Sequence, residues 1–219
     1  TRRQKYTTQE IVQDGGQYRW QEDLQWRWQT YEATESFHWT QHVGPAHVFY
    51  SHVQLKPVRR TLQVIKGALA KSAPTRKLLE LAEGEKPRVW LDYFNLRQCG
   101  NDFKPAAVVD LIKQIGVCFI EFDTDPTQYL ARTFCALEAF AAVKGGVKTG
   151  VLVDEIHAIM IKDMLAASPI KVADAQTRRR KDKDMIDAFI TESVGFEALD
   201  AALTKLALDG AQAICDRAF

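Results

Sequence analysis

Residues 117–142, which read VCFIEFDTDPTQYLARTFCALEAFAA, combine a strand pattern with a helix pattern. The first six residues are almost all apolar, which is typical of a buried strand. An acidic turn follows, and it ends in Pro126, a residue that suits the start of a helix. From Tyr129 to Ala142, apolar side chains at helical spacing predict one amphipathic helix. Its predicted buried stripe consists of Leu130, Phe134, Leu137 and Ala141.

A single acid interrupts the predicted helix. Glu138 lies three residues after Cys135 and six after Arg132, so the three side chains form a row on a neighbouring face. In an open parallel sheet, ligands bind outside the carboxyl ends of the strands, where such a helix begins. Glu138 is therefore the leading candidate for a functional residue.

The same alternation of strand and helix extends to both sides of this unit. Further strands are predicted at residues 46–51, 88–94 and 147–153, with helices at 58–71, 75–82 and 106–115 between them. Residues 170–172 are a candidate fifth strand at the edge, and helices are predicted at 155–167, 185–193 and 196–208. Such alternation indicates an α/β fold with a parallel sheet of four to five strands and helices on both faces.

The two ends of the chain differ from this α/β region. Residues 1–44 form an N-terminal arm or extension in which Trp20, Trp26, Trp28 and Trp39 are crowded together. Because tryptophans bury a large apolar area, we expect the arm to pack on the core or on a partner. An aromatic stacking platform is the alternative. The α/β domain then covers 45–175, and a helical extension covers 176–219.

Composition excludes several classes of protein. The 219 residues carry a formal net charge of +1, which provides no electrostatic argument for binding nucleic acid. The four cysteines lack the spacing of a zinc site or a disulfide framework. Cys118 lies inside an apolar predicted strand, which favours a reducing compartment, so an intracellular location is expected, cytoplasmic by default and with an organelle as the alternative. No apolar run approaches the length of about 18 residues that spans a bilayer. Neither a metal nor a bound cofactor is expected.

Several of these segments together resemble the Toll/interleukin-1 receptor (TIR) domain superfamily. The resemblance is to a divergent branch common in single-celled eukaryotes, and it covers about residues 46–208. Three motifs carry it: Ser51-His52 at the end of the first strand, WLDYFNLRQ at 90–98, and RTFCALE at 132–138. The stretch IKVADAQTRRRKDKDMIDAFITESVG, residues 170–195, is also similar to the C-terminal part of that branch.

The resemblance implies a flavodoxin-like fold and one of two activities. The first is cleavage of the nicotinamide–ribosyl bond of NAD, with Glu138 as the essential acid and NAD as the substrate. The second is a non-enzymatic role as a scaffold or accessory subunit, through self-association or partner proteins. The predicted binding residues at the carboxyl edge of the sheet are Ser51, His52, Asp92, Phe94 and Arg132. Phe94 or Tyr93 would stack on a ring of the nucleotide, and His52 and Arg132 would contact phosphate.

Some of these residues also have simpler, structural interpretations. His52 suits a hydrogen-bonded loop position, Asp92 suits a loop or helix cap, and Cys135 suits a small core residue because no histidine is placed to activate it. A sensor that binds a nucleotide without cleaving it, and a nucleoside deoxyribosyltransferase that uses the same sheet and an essential glutamate, are further alternatives.

Overall fold

The computed structural model describes residues 6–7, 13–14, 17–18, 28–29, 45–54, 57–70, 74–81, 84–92, 103–122 and 126–218. The chain divides into two compact units, Thr1–His42 and Val43–Phe219.

The first unit is described by two short antiparallel pairs. Strand β1 (Tyr6–Thr7) pairs with β4 (Trp28–Gln29), and β2 (Gln13–Asp14) pairs with β3 (Gln17–Tyr18). Trp28 therefore belongs to a strand. Trp20, Trp26 and Trp39 lie outside the described residues, so the predicted packing of the arm stays a prediction.

The second unit contains a four-stranded sheet in which all pairs are parallel. Its strands are β5 (Val48–Ser51), β6 (Val89–Trp90), β7 (Val117–Glu121) and β8 (Lys148–Leu152), in the spatial order β6-β5-β7-β8. Four of the predicted strands are present, and three of them lie within two residues of their predicted bounds. Strand β6 covers only Val89–Trp90 of the predicted 88–94, and residues 93–94 lie outside the described part of the chain. The class is α/β, consistent with a flavodoxin-like fold.

Seven helices are described in this unit. They are α1 (Val58–Ala68), α2 (Pro105–Ile115), α3 (Pro126–Leu130), α4 (Thr133–Gly145), α5 (Glu155–Ala167), α6 (Arg180–Ser193) and α7 (Phe196–Ala218). Two 3₁₀ segments, Pro74–Leu79 and Val172–Asp174, are also present. Helix α2 ends at Gly116, whose φ of 77° is the left-handed conformation that favours glycine after a helix.

The two faces of the sheet are covered by different elements. On one face, alternate residues of β5 and β7 such as Tyr50 and Phe119 pack with Ile65 of α1 and Leu79 of the first 3₁₀ segment. On the other face, the residues between them, such as Phe49, belong to one apolar core together with buried residues of α2, α4, α5, α6 and α7. Because side chains alternate along a strand, Ser51 points to the same face as Phe49, which is the face that α4 covers.

The central helix differs from the prediction in two ways. The single helix expected at Tyr129–Ala142 is broken, because α3 ends at Leu130 and Arg132 has extended backbone before α4 begins at Thr133. In addition, α4 is buried on nearly every side and is therefore not amphipathic. Its buried residues are Thr133, Cys135, Ala136, Leu137, Ala139, Phe140, Ala141 and Ala142. The sheet covers one side of α4, and α2, α6 and α7 cover the others.

Three further predictions were wrong in detail. Residues 170–172 form no strand, since Ile170 and Val172 are buried at a turn that leads into the 3₁₀ segment Val172–Asp174. The helix expected at residues 75–82 is also a 3₁₀ segment. Helix α7 continues to Ala218, ten residues past its predicted end at Leu208, because Ala211 and Ile214 extend its buried face.

Two glycines within helices give a paired prediction for stability. A Cβ added to Gly210 of α7 would lie 2.4 Å from Cγ2 and 2.5 Å from Cβ of Val151, whereas one added to Gly67 of α1 would have nothing within 4 Å. Gly67→Ala should therefore stabilise the fold by about 0.5 to 1 kcal/mol through helix propensity. Gly210→Ala should destabilise it by about 1 to 3 kcal/mol, since overpacking exceeds the propensity gain.

Chemical unfolding of the two variants tests this pair. Equal stabilisation of both would mean that α7 does not approach β8 as closely as described. The two substitutions are chemically identical, so each serves as the control for the other.

Candidate functional site

The acid singled out from the sequence reaches the carboxyl end of the first strand of the sheet. Ser51 is the last residue of β5 and is fully buried, and its Oγ donates a hydrogen bond to Oε2 of Glu138. The same Oγ contacts the hydroxyl of Tyr129, which is also fully buried. Glu138, Ser51 and Tyr129 thus form one connected polar cluster inside an otherwise apolar face of the sheet.

Burial changes the acidity of this carboxyl group. Loss of hydration is the largest influence and raises the pKa of Glu138 to about 8, with the negative charge of Asp92 adding to the rise and the hydrogen bond from Ser51 opposing it. The Glu138 residue itself keeps some exposed surface. At neutral pH the free protein therefore holds Glu138 mainly as the neutral acid. Strongly shifted groups of this kind are common at functional sites.

A second set of polar groups lies beside the first. His52 and Asp92 are 3% and 9% exposed, and His52 Nε2 lies 4.0 Å from Asp92 Oδ1. Gln54 donates its side-chain amide to Oδ2 of Asp92. The backbone carbonyl of His52 accepts a hydrogen bond from Cys135 Sγ at 3.4 Å, which ties the loop after β5 to α4. The structure thus places Ser51, His52, Asp92 and Glu138 in one region, where their roles remain predictions.

Of the remaining predicted residues, Arg132 is placed differently and Phe94 is not described. Arg132 is exposed at the residue that precedes α4, and its positive charge acts on the buried thiol of Cys135. It is therefore not part of the helical row with Cys135 and Glu138 that the sequence predicted, because the helix breaks beside it. Phe94 lies outside the described residues, so its predicted stacking role stays a prediction.

The thiols near this site have acid–base properties that agree with a core role. Burial raises the pKa of Cys118 and of Cys135 well above the usual value, and the charge of Glu138 adds to both shifts. A thiol whose pKa is raised carries little thiolate at neutral pH and is a poor nucleophile. The interpretation of Cys135 as a small core residue is in agreement with this environment.

A second buried carboxyl group lies on the opposite face of the sheet. Glu121, at the end of β7, is 4% exposed, and its Oε2 accepts a hydrogen bond of 2.7 Å from the hydroxyl of Tyr50. Burial is the main reason that the pKa of Tyr50 is raised, and the neighbouring glutamate adds to it. Glu121 thus provides a reference carboxylate outside the candidate site.

The sequence prediction missed two residues of the candidate site, Tyr129 and Gln54, and it also missed Glu121 on the opposite face of the sheet. Tyr129 was placed on the predicted helix with no role, and no local signal indicates that the helix breaks after it. Gln54 lies in a loop without a distinguishing pattern. Glu121 did carry a signal, since alternation in VCFIEF places it on the same buried face as Val117 and Phe119.

Other features of the described residues are separate from the cluster. A groove of about 330 Å³ lies beside the helix break, between Leu130-Ala131 and residues 167–171, and Glu138 does not line it. Within the described part of the chain, no group of three or more His, Cys, Asp or Glu side chains is arranged to hold a metal ion. Likewise, no described helix has the combination of length and apolar composition that crossing a membrane requires.

Comparisons of the chain with protein-family models, with curated proteins and with solved structures found no match.

Proposed function

We propose that the chain contains a flavodoxin-like, TIR-like domain that hydrolyses NAD at the nicotinamide–ribosyl bond, with Glu138 as the catalytic residue. The observation that carries the proposal is the contact between Glu138 and Ser51 at the carboxyl end of β5. Strand order β6-β5-β7-β8 supports the fold, because it corresponds to second, first, third and fourth along the chain. Flavodoxin-like sheets have this order and bind nucleotides where it reverses, between the first and third strands.

The Ser51–Glu138 contact spans that reversal point. Ser51 ends β5, Glu138 lies on the helix that follows β7, and β5 and β7 are hydrogen-bonded neighbours with Ser51 paired to Ile120. A ribose at this point would meet a carboxyl group held by a neighbouring strand. His52 and Asp92 lie at the same edge, on the segments that leave β5 and β6.

The reaction requires little more than a well-placed negative charge. Cleavage of the bond between C1′ of the ribose and the ring nitrogen sends the electron pair to the pyridinium, so nicotinamide leaves as a neutral molecule. Water adds to the oxocarbenium-like carbon and releases one proton, which yields ADP-ribose. A carboxylate beside the ribose stabilises the positive charge that develops in the transition state.

The raised pKa of Glu138 in the free protein is compatible with a role as the carboxylate, because the bound substrate would lower this pKa. A neutral carboxyl group is favoured in the free protein. The positive charge of the nicotinamide riboside moiety would favour the ionised form, since an opposite charge nearby lowers the pKa of an acid. The substrate would thus help to produce the carboxylate that stabilises its own transition state.

Release of free nicotinamide from NAD by the purified chain tests the proposal, with products separated by chromatography. NADH is the matched control substrate, because its dihydronicotinamide is uncharged and a poor leaving group. Cleavage of NAD but not of NADH is the expected result. No release of nicotinamide at any protein concentration would contradict the proposal, and base exchange between nucleosides would favour a deoxyribosyltransferase instead.

A scaffold role is the second candidate, and exposed apolar side chains on α5 favour it. Ile156, Ile159 and Met160 are 71%, 54% and 47% exposed, and their spacing places them on one side of the helix. Self-association through this surface would give a defined oligomer in light scattering, and Ile156→Asp with Ile159→Asp should reduce it to monomer. A monomeric wild-type chain at high concentration would contradict self-association through α5.

A further inference from the structure

The hydroxyl of Tyr129 and the carboxyl of Glu138 meet at one atom, although their sequence spacing should keep them apart. They are nine residues apart, and a continuous α-helix turns by about 100° per residue, so nine residues place two side chains on opposite sides of the helix. In the structure, Ser51 Oγ contacts the hydroxyl of Tyr129 and donates a hydrogen bond to the carboxyl group of Glu138. The break between α3 and α4 makes this meeting possible.

The break is held by the main chain of a distant segment. Gln176 forms an isolated parallel bridge with Arg132, its N–H donates to the carbonyl of Ala131 at 2.7 Å, and its carbonyl accepts from the N–H of Thr133 at 3.1 Å. These bonds satisfy backbone groups that a continuous helix would have used internally. These hydrogen bonds with Gln176 therefore maintain the turn that directs Tyr129 toward Ser51.

We infer that Tyr129 is a positioning residue that acts through Ser51 to orient the carboxyl group of Glu138. When Glu138 is ionised, it can only accept, so Ser51 donates to it and the Ser51 oxygen is free to accept from Tyr129. Each hydrogen bond in such a chain strengthens the next. The tyrosine hydroxyl thus supports the ionised form of an acid that it does not touch.

The surroundings of Glu138 define what else acts on its ionisation. Among the described residues, Asp92 faces it from the segment after β6, Cys118 from β7, and Cys135 from its own helix. Burial keeps both thiols neutral, so Asp92 is the charged neighbour, and it disfavours the carboxylate. The hydrogen bond from Ser51 is the opposing influence, and Tyr129 contributes by strengthening it.

The experiment removes single hydroxyl groups and follows the ionisation of Glu138 directly. Tyr129→Phe deletes one oxygen and keeps the ring, which makes an edge-to-face contact with Phe122 at 5.3 Å. Tyr50→Phe is the matched control, because Tyr50 is an equally buried tyrosine that donates to Glu121 on the other face of the sheet. The titration of Glu138 is read by carbon-13 NMR of its carboxyl group, assigned with Glu138→Gln.

The expected result is an upward shift of the Glu138 pKa by about half a unit to one unit in Tyr129→Phe and by about one to two units in Ser51→Ala. The double variant should match Ser51→Ala alone, because the tyrosine acts through the serine. Tyr50→Phe should leave the titration unchanged. An unchanged titration in Tyr129→Phe, or a tyrosine effect that persists without Ser51, would overturn the inference.

A wild-type measurement covers the case in which Tyr129→Phe does not fold. The ring carbon that bears the Tyr129 hydroxyl should change its carbon-13 shift at the midpoint of the Glu138 titration. That change should be lost in Ser51→Ala, and its absence in the wild type would overturn the inference equally.

The importance of this positioning for hydrolysis rests on the proposed function, but the titration does not require substrate. If the chain hydrolyses NAD, Tyr129→Phe should lower kcat/KM about 3- to 10-fold at neutral pH. At alkaline pH the kcat/KM of the variant should approach that of the wild type. A shifted titration without hydrolysis would reject the proposed function alone. Hydrolysis with an unshifted titration would reject only the role of Tyr129.

Discussion

Glu138→Gln is expected to lower kcat/KM for NAD hydrolysis by about 10² to 10³-fold, which is the usual effect of removing one group that stabilises transition-state charge. Glutamine has nearly the same shape as glutamate and can keep a hydrogen bond with Ser51, so the fold should be retained. The amide carries no negative charge, however, and cannot balance the positive charge that develops on the ribose. Initial rates of nicotinamide release over a range of NAD concentrations measure the effect.

Glu121→Gln is the control for this substitution. Glu121 is a buried glutamate near the end of a neighbouring strand, with a tyrosine hydroxyl as donor, but it lies on the face of the sheet that α1 covers. Its replacement should leave kcat/KM within about twofold of the wild type if the protein remains folded. Equal losses in both variants would indicate damage to the sheet and would contradict a specific role for Glu138.

The pH dependence of the wild type follows from the same carboxyl group. Because the reaction needs the carboxylate and the pKa of Glu138 in the free protein is raised to about 8, kcat/KM should rise through the range from pH 6 to 9. The profile of kcat should have its midpoint at lower pH, since the bound cation favours ionisation. A rate that falls as pH rises through this range would contradict Glu138 as the ionised group.

The strands of the sheet could be predicted from the sequence because the signal lies in the residues of each strand. The segment VCFIEF is almost entirely apolar, and the acidic turn that follows it limits its length. Helix α5 was predicted at its observed bounds, Glu155–Ala167. Asp154 explains this agreement, because its side chain accepts from the N–H of His157 and caps the helix locally.

The broken central helix could not be predicted in this way. Residues 129–142 have helical spacing throughout, and no proline or glycine marks Ala131 or Arg132. The break depends on Gln176, more than forty residues later in the chain, whose main chain replaces the lost helical hydrogen bonds. Long-range backbone pairing of this kind leaves no periodic signal at the site where it acts.

The candidate site was predicted in part for the same reason. The fold class alone places Ser51, Asp92 and the start of α4 at one edge of the sheet, so their proximity could be expected. Which side chains touch depends on the helix break, which the main chain of Gln176 maintains, and on the burial of α4 by the sheet, α2, α6 and α7. The sequence therefore indicated Glu138 and Ser51 separately. It did not indicate that the two side chains form a hydrogen bond, or that the hydroxyl of Tyr129 contacts Ser51.

The second large effect concerns stability and does not depend on any substrate. In the folded protein the pKa of Glu138 is raised to about 8 from an ordinary value of 4.5. Folding therefore favours the protonated form, and the stabilisation is fully present below about pH 4.5 and is lost as pH rises toward 8. Within that window, the contribution of this group to the free energy of unfolding should fall by about 1.4 kcal/mol per pH unit.

Comparison with Glu138→Gln isolates this contribution from that of every other titrating group. The amide does not ionise, so the wild type and the variant should have similar free energies of unfolding near pH 5, and the variant should be the more stable by several kcal/mol above pH 8. Urea unfolding at closely spaced pH values measures the difference. Glu80→Gln is the control, since Glu80 pairs with Lys148 and its pKa is lowered, which gives a pH dependence of opposite sign at acidic pH.

A gain in stability on removal of Glu138 would bear on why the residue is present. Natural domains are stable by only about 5 to 15 kcal/mol. A buried acid that destabilises the fold at neutral and alkaline pH therefore removes a substantial part of the free energy of unfolding. A purely structural position would be better filled by glutamine or by an apolar residue. If Glu138→Gln were instead less stable at every pH, the carboxyl group would be a structural hydrogen-bonding element, and the argument for a catalytic acid at this position would lose its physical basis.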